Sequence, residues 1–139
     1  MILDRRKVDS VSPRYRHGSM DEMMYHNVMR HLQIWFPERR YHSHLIVGPG
    51  LPMRLQILTF DYVIVRGRKY WAYNRSVTPK NSQVLVEIAD GEVRAGELMD
   101  IVAVGDTQSI APDILLGCVR WLVPIPLDEI VEDNNMCVL

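Results

Sequence analysis

Residues 55–124 read LQILTFDYVIVRGRKYWAYNRSVTPKNSQVLVEIADGEVRAGELMDIVAVGDTQSIAPDILLGCVRWLVP, and this stretch decides the fold. Short apolar-alternating segments recur between turn signals at close spacing. The run Ile57 to Val65 meets Arg66-Gly67, and Arg68-Lys69-Tyr70-Trp71-Ala72-Tyr73 follows at once. A glycine in that position takes a positive φ cheaply, which predicts a tight hairpin. A polar loop, Asn74 to Ser82 with Pro79 inside it, separates this pair from Val84–Ile88. Asp90-Gly91 is a second hairpin signal, leading into a long run from Val93 to Val104. Gly96 interrupts that run and predicts a bulge or a close backbone approach. The last segment, Cys118 to Val123, alternates as a half-buried strand does, with Val119, Trp121 and Val123 on the core face, and Pro124 and Pro126 end it. Strands of this length and spacing predict a mainly β fold: a small, strongly bent antiparallel sheet or barrel of five to six strands.

The first strand contains a change of phase. Leu55, Ile57 and Thr59 share one face, whereas Phe60, Tyr62 and Ile64 share the other. A bulge near Phe60 would reconcile them and supply the bend that a small barrel needs. Upstream, Gly48-Pro49-Gly50-Leu51-Pro52 is a turn after the short apolar run Leu45-Ile46-Val47.

Ahead of the β region, Ser19 and Glu22 have the spacing of a capping box. Met20, Met24, Val28, Leu32 and Trp35 then recur near the helical period, and Pro37 disfavours helix in the residue before it. One amphipathic helix is expected over residues 19–36, at the head of a single β domain spanning 19–127. Residues 1–18 carry five Lys or Arg and are broken by Pro13 and Gly18, so they read as a flexible basic arm. Residues 128–139 read as an acidic tail, with Asp128, Glu129, Glu132 and Asp133 and no Lys or Arg.

The chain has 139 residues and a formal net charge of −1, which fits one domain with an ordinary core. Its two cysteines, Cys118 and Cys137, make no disulfide framework, and the pattern suits a reducing compartment. Cys118 reads as a small buried hydrophobe and Cys137 as a free thiol. Met136-Cys137-Val138-Leu139 places its cysteine third from the end, where a prenylation box needs it fourth. The basic start lacks the apolar core of a secretory signal, and no apolar run has the length of a membrane span. The expectation is an intracellular, nuclear protein.

Catalytic signatures are weak. His42 and His44 would point to one face of an extended segment, but a zinc site needs further ligands that nothing in the sequence brings near. His26 and His31 are five apart, a poor helical spacing for shared ligation. Gly48-Pro49-Gly50 lacks the lysine and the following helix of a phosphate loop. Glu97 and Asp100 point apart by alternation. No enzyme activity, cofactor or metal is expected.

The cluster Arg66, Arg68, Lys69, Tyr70, Trp71 and Tyr73 carries more. With Trp71 and Tyr73 on one strand face and Tyr70 on the other, rings could stack on bases while the cations hold phosphate. The rings could also seat a methylated ammonium. The same residues also suit a strand with one face in the core and a charged row guarding its edge. Four pieces together resemble a bromo-adjacent-homology (BAH) domain: Tyr62-Val63-Ile64-Val65, Tyr70-Trp71-Ala72, Val93 to Ile101, and Val119-Arg120-Trp121-Leu122-Val123-Pro124. The chain also resembles barrel-like segments found beside fungal transposon-derived proteins. The acidic residues that usually follow that family's arginine–tryptophan–proline strand are displaced here to Asp128 and Glu129. The resemblance implies a chromatin-associated interaction module with a histone tail, another chromatin protein or nucleic acid as its partner. The alternative is a protein–protein or oligomerisation scaffold using a Met-rich helix face (Met20, Met23, Met24, Met29), with a second copy of the chain as partner.

Overall fold

A computed structural model describes residues 3, 7–76, 78–87 and 91–122. The acidic tail, Cys137, Asp90, Val123 and the terminal prolines Pro124 and Pro126 lie outside the described residues. The described chain is mainly β with one α-helix. Its strands are β1 (Val8–Val11), β2 (Tyr15–Ser19), β3 (Tyr41–Ser43), β4 (Leu51–Met53), β5 (Gln56–Phe60), β6 (Tyr62–Val65), β7 (Arg68–Trp71), β8 (Gln83–Glu87), β9 (Val93–Val104) and β10 (Ile114–Trp121). The helix α1 spans Glu22–Trp35, between β2 and β3.

Five strands form the central sheet in the order β10-β9-β5-β2, with β8 also paired to β9. A second sheet has the order β1-β6-β7, and β3 and β4 form a short parallel pair. None of these sheets closes into a barrel, and the described strands outnumber the five or six expected. Two of the extra ones begin in the supposed basic arm. β1 and β2 are strands, β1 paired antiparallel to β6 and β2 to β5. Most side chains of β2 are exposed, so its backbone ladder, rather than burial, holds it in place.

The phase change at Phe60 has a different cause from the one expected. The chain does not bulge within one strand; it passes from the central sheet to the second sheet at Asp61, ending β5 and starting β6. Its partner ribbon turns at the same place, because β1 and β2 change sheets across Ser12. Ser12 is 2% exposed and locks the double corner. Its amide donates to the Tyr62 carbonyl at 3.0 Å, its hydroxyl donates to the Arg14 carbonyl at 3.0 Å, and its oxygen accepts from the Asp61 amide at 2.9 Å. Strands that switch sheets at such bends make the corners of packed β layers.

β9 is the spine. It reads Ile101-Val102-Ala103-Val104 without polar alternation because both its faces are covered. Val102 and Val104 join Ile57, Ile114, Leu116 and the inner face of α1 in one core. Ile101 and Leu98 join Val63, Val65, Tyr70, Val84, Val86 and Leu115 in a second core under the β1-β6-β7 sheet. Ile101 and Leu98 reach the same core, three residues apart, because β9 bulges at Met99: Cys118 pairs with Asp100 but Val119 pairs with Leu98. Gly96 marks a close approach instead. A Cβ there would lie 2.4 Å from Val119 Cγ1.

The helix starts later than its capping box predicts. Ser19 is the last residue of β2, paired with Gln56, and Asp21 caps the helix by accepting from the Met24 amide at 2.8 Å. The buried stripe is Tyr25, Val28, Met29 and Leu32, at the i, i+3, i+4, i+7 positions. Met24 and Trp35 sit at its margin, half-buried. Met20 and Met29 are buried as well, which leaves Met23 as the well-exposed member of the supposed methionine surface.

Candidate functional site

The hairpin at Arg66-Gly67 forms as a two-residue connection between β6 and β7. Both residues have positive φ, 49° and 79°, the geometry that matches the twist of the flanking strands. The turn sets a fixed register: Val65 faces Arg68, Ile64 faces Lys69, Val63 faces Tyr70 and Tyr62 faces Trp71. Alternation then divides the side chains. Val63, Val65 and Tyr70 enter the second core, so Tyr62, Ile64, Lys69 and Trp71 share the outer face.

The six residues singled out from the sequence therefore separate. Tyr70 is 3% exposed and is a core residue, which removes it from any binding surface. Arg68 is half-buried, with its guanidinium 5.5 Å from the centre of the Tyr70 ring. Arg66 is exposed at the tip, and Lys69 is exposed on the outer face. The Lys69 ammonium lies 4.2 Å from the Tyr62 ring centre and 5.6 Å from that of Trp71. The Tyr62 and Trp71 rings are 5.0 Å apart and tilted by 56°. Tyr73 does not continue the row from Trp71. The strand ends at Trp71, Ala72 is buried and donates to the Asp61 carbonyl, and Tyr73 opens a 3-10 turn. Its ring lies beside the Arg120 guanidinium at 5.4 Å. Tyr62 is the member missed from sequence. Pairing the strands outward from Arg66-Gly67 places it opposite Trp71, so the hairpin register itself holds the signal.

The hairpin is anchored at both ends. The Arg66 amide donates to the Lys7 carbonyl at 3.1 Å, and the Gly67 amide donates to the Asp9 carboxylate at 2.7 Å. At its other end, Asp61 pairs with Arg16 at 2.9 Å and with Arg75 at 3.8 Å. The outer face thus presents two rings and one ammonium on a fixed backbone, with Arg66 exposed at the tip.

Two of the histidines, His42 and His44, make local hydrogen bonds. The Tyr25 hydroxyl donates to the Met53 carbonyl at 2.7 Å and accepts from the His44 amide at 3.1 Å. His44 Nδ1 is also 3.1 Å from that hydroxyl, whereas His42 Nδ1 lies 3.0 Å from the Ser43 carbonyl. Among the described residues no group of three or more His, Cys, Asp or Glu side chains could hold a metal ion. Trp121, expected in the core, is 42% exposed at the end of β10. The neighbouring Arg120 pairs with Glu97 across the strands. Cys118 is half-buried against the helix-side core, and burial, with the Asp100 charge beside it, pushes its thiol pKa up. Among the described residues, no helix is long and apolar enough to cross a membrane.

No protein-family model, curated protein or solved structure matches this chain.

Proposed function

We propose that the protein is a non-catalytic interaction module that takes single-stranded nucleic acid on the outer face of the β6–β7 hairpin. The observation that carries this reading is the set of Tyr62, Trp71, Lys69 and Arg66 on one pinned hairpin. Aromatic faces stack on bases whatever their sequence, and flanking cations follow the phosphates. The Lys69 ammonium that covers the rings in the free protein would move to a phosphate as the rings take up bases. An exposed cation–π contact is worth only about 0.5–1 kcal/mol, so the exchange is cheap. A methyl-ammonium would have to displace the same cation without offering Lys69 a phosphate in return, which favours nucleic acid over a methyl-ammonium at these rings. A histone tail is cationic and would also meet the charges of Arg66 and Lys69. The BAH resemblance supports a chromatin setting, and with it a nuclear one, for such a module.

Anisotropy titration of a labelled oligonucleotide about a dozen nucleotides long tests the reading, a length within known single-strand footprints. With Arg66 and Lys69 on phosphates, the slope of log affinity against log salt should be about −1.4. Lys69→Ala should roughly halve that slope. Trp71→Ala should weaken binding by about 1–3 kcal/mol, with folding followed in parallel. Salt-insensitive binding, or an unchanged slope in Lys69→Ala, would contradict it.

A further inference from the structure

On the opposite side of the central sheet from the hairpin, a groove of about 460 Å³ runs between α1 and β10. Its size lies in the range of small-molecule sites, which are mostly apolar with a few placed polar groups. Met24 and Trp35, the half-buried margin of the helix stripe, form one wall, and Leu116 and Cys118 form the other. Two carboxylates, Asp21 and Asp100, line it. Among the described residues no lysine or arginine does. Asp21 is committed to the helix cap through the Met24 amide. Asp100 is different. It stands on the helix side of β9 next to the Met99 bulge, half-buried, and among the described residues no hydrogen bond reaches its carboxylate. Burial raises its pKa, and the charge of Arg75 only partly opposes this. His31 also lines the groove, with Nδ1 engaged 2.7 Å from the Asn27 carbonyl.

We infer that this groove is a binding site for a small apolar molecule bearing a protonated amine, with the alkyl or aryl part on Met24, Trp35, Leu116 and Cys118 and the ammonium on Asp100. The charge sign follows from the lining: an anionic ligand would meet two carboxylates, whereas an ammonium gives Asp100 the hydrogen-bond donor it lacks. This site is independent of the nucleic-acid reading and uses none of its residues.

Cys118 lines the same groove and serves as the reporter. The rate constant of iodoacetamide alkylation per Cys118 thiolate, taken from the pH profile of the rate at the Cys118 peptide by mass spectrometry, is measured with hexylamine or hexanol present, because an ammonium on Asp100 would also remove the charge that raises the thiol pKa. Hexylamine should protect Cys118 at about tenfold lower concentration than hexanol, the difference expected for a hydrogen bond to a charged group. In Asp100→Asn the two should protect alike, and circular dichroism would show that this variant is folded. Three results would overturn the inference: equal protection by amine and alcohol in the unaltered protein, no protection by either, or protection that rises with protein concentration alone. The last would assign the groove to a second copy of the chain.

Discussion

Single residues decide where the chain changes direction. Ser12 is a buried hydroxyl whose oxygen accepts from Asp61 across the double corner. Ser12→Ala leaves that amide without its acceptor, and urea denaturation should show a loss of about 1–3 kcal/mol. Asp100 makes a pH prediction. Burial raises its folded pKa above the ordinary 3.8, so the folded state holds its proton more tightly than the unfolded chain does. Its contribution to stability is therefore greatest in acid and is lost as pH rises from that ordinary value through the raised one. Asp100→Asn should gain thermal stability relative to the unaltered protein at neutral pH, and the gap should close on acidification. A variant that is less stable at neutral pH would reverse the sign. At this scale the sequence spoke unevenly. Gly67 announces its turn, because positive φ there suits glycine. Tyr70 and Tyr73 could not be sorted by type, since a tyrosine serves equally in a core or on a surface; only the register of the hairpin sorts Tyr70 from Trp71.

At the scale of elements, the legible parts are those with strong periodicity or strong turns. The helix, the Arg66-Gly67 hairpin and the antiparallel β8–β9 pair all form, the last with Gly91 at a φ of 74°. β1 and β2 escaped notice because neither carries hydrophobic alternation: most side chains of β2 lie in solvent, and β1 packs only Val8 and Val11, at its two ends, against the second core. The phase change near Phe60 was visible, but a bulge and a change of sheet leave the same mark on one strand; distinguishing them needs the partner ribbon, which turns at Ser12. Two substitutions probe these elements. Gly96→Ala would press a methyl group against Val119, and overpacking should cost about 1–3 kcal/mol. Asp21→Ala removes the helix cap and should cost about 1 kcal/mol, whereas Ser19→Ala should cost less, because Ser19 lies in β2 and is not the cap. Equal costs for the two would restore the capping box.

For the whole molecule, the central sheet separates two cores, one closed by α1 and the other by the β1-β6-β7 sheet. Each outer layer therefore brings its own surface: a ring-and-cation hairpin on one side and an acidic apolar groove on the other. The mainly β class and the single helix were readable from the alternation after Leu55 and the stripe before Pro37. A closed barrel was not required by that pattern, because open layers that turn corners bury the same alternating residues. The hairpin reading is tested most directly by amide chemical shifts of isotope-labelled protein titrated with a single-stranded oligonucleotide at low salt. The account predicts shifts concentrated on Tyr62, Ile64 and Arg66 through Trp71, fading as salt is added. Shifts confined to α1 and β10, or none at all, would contradict it.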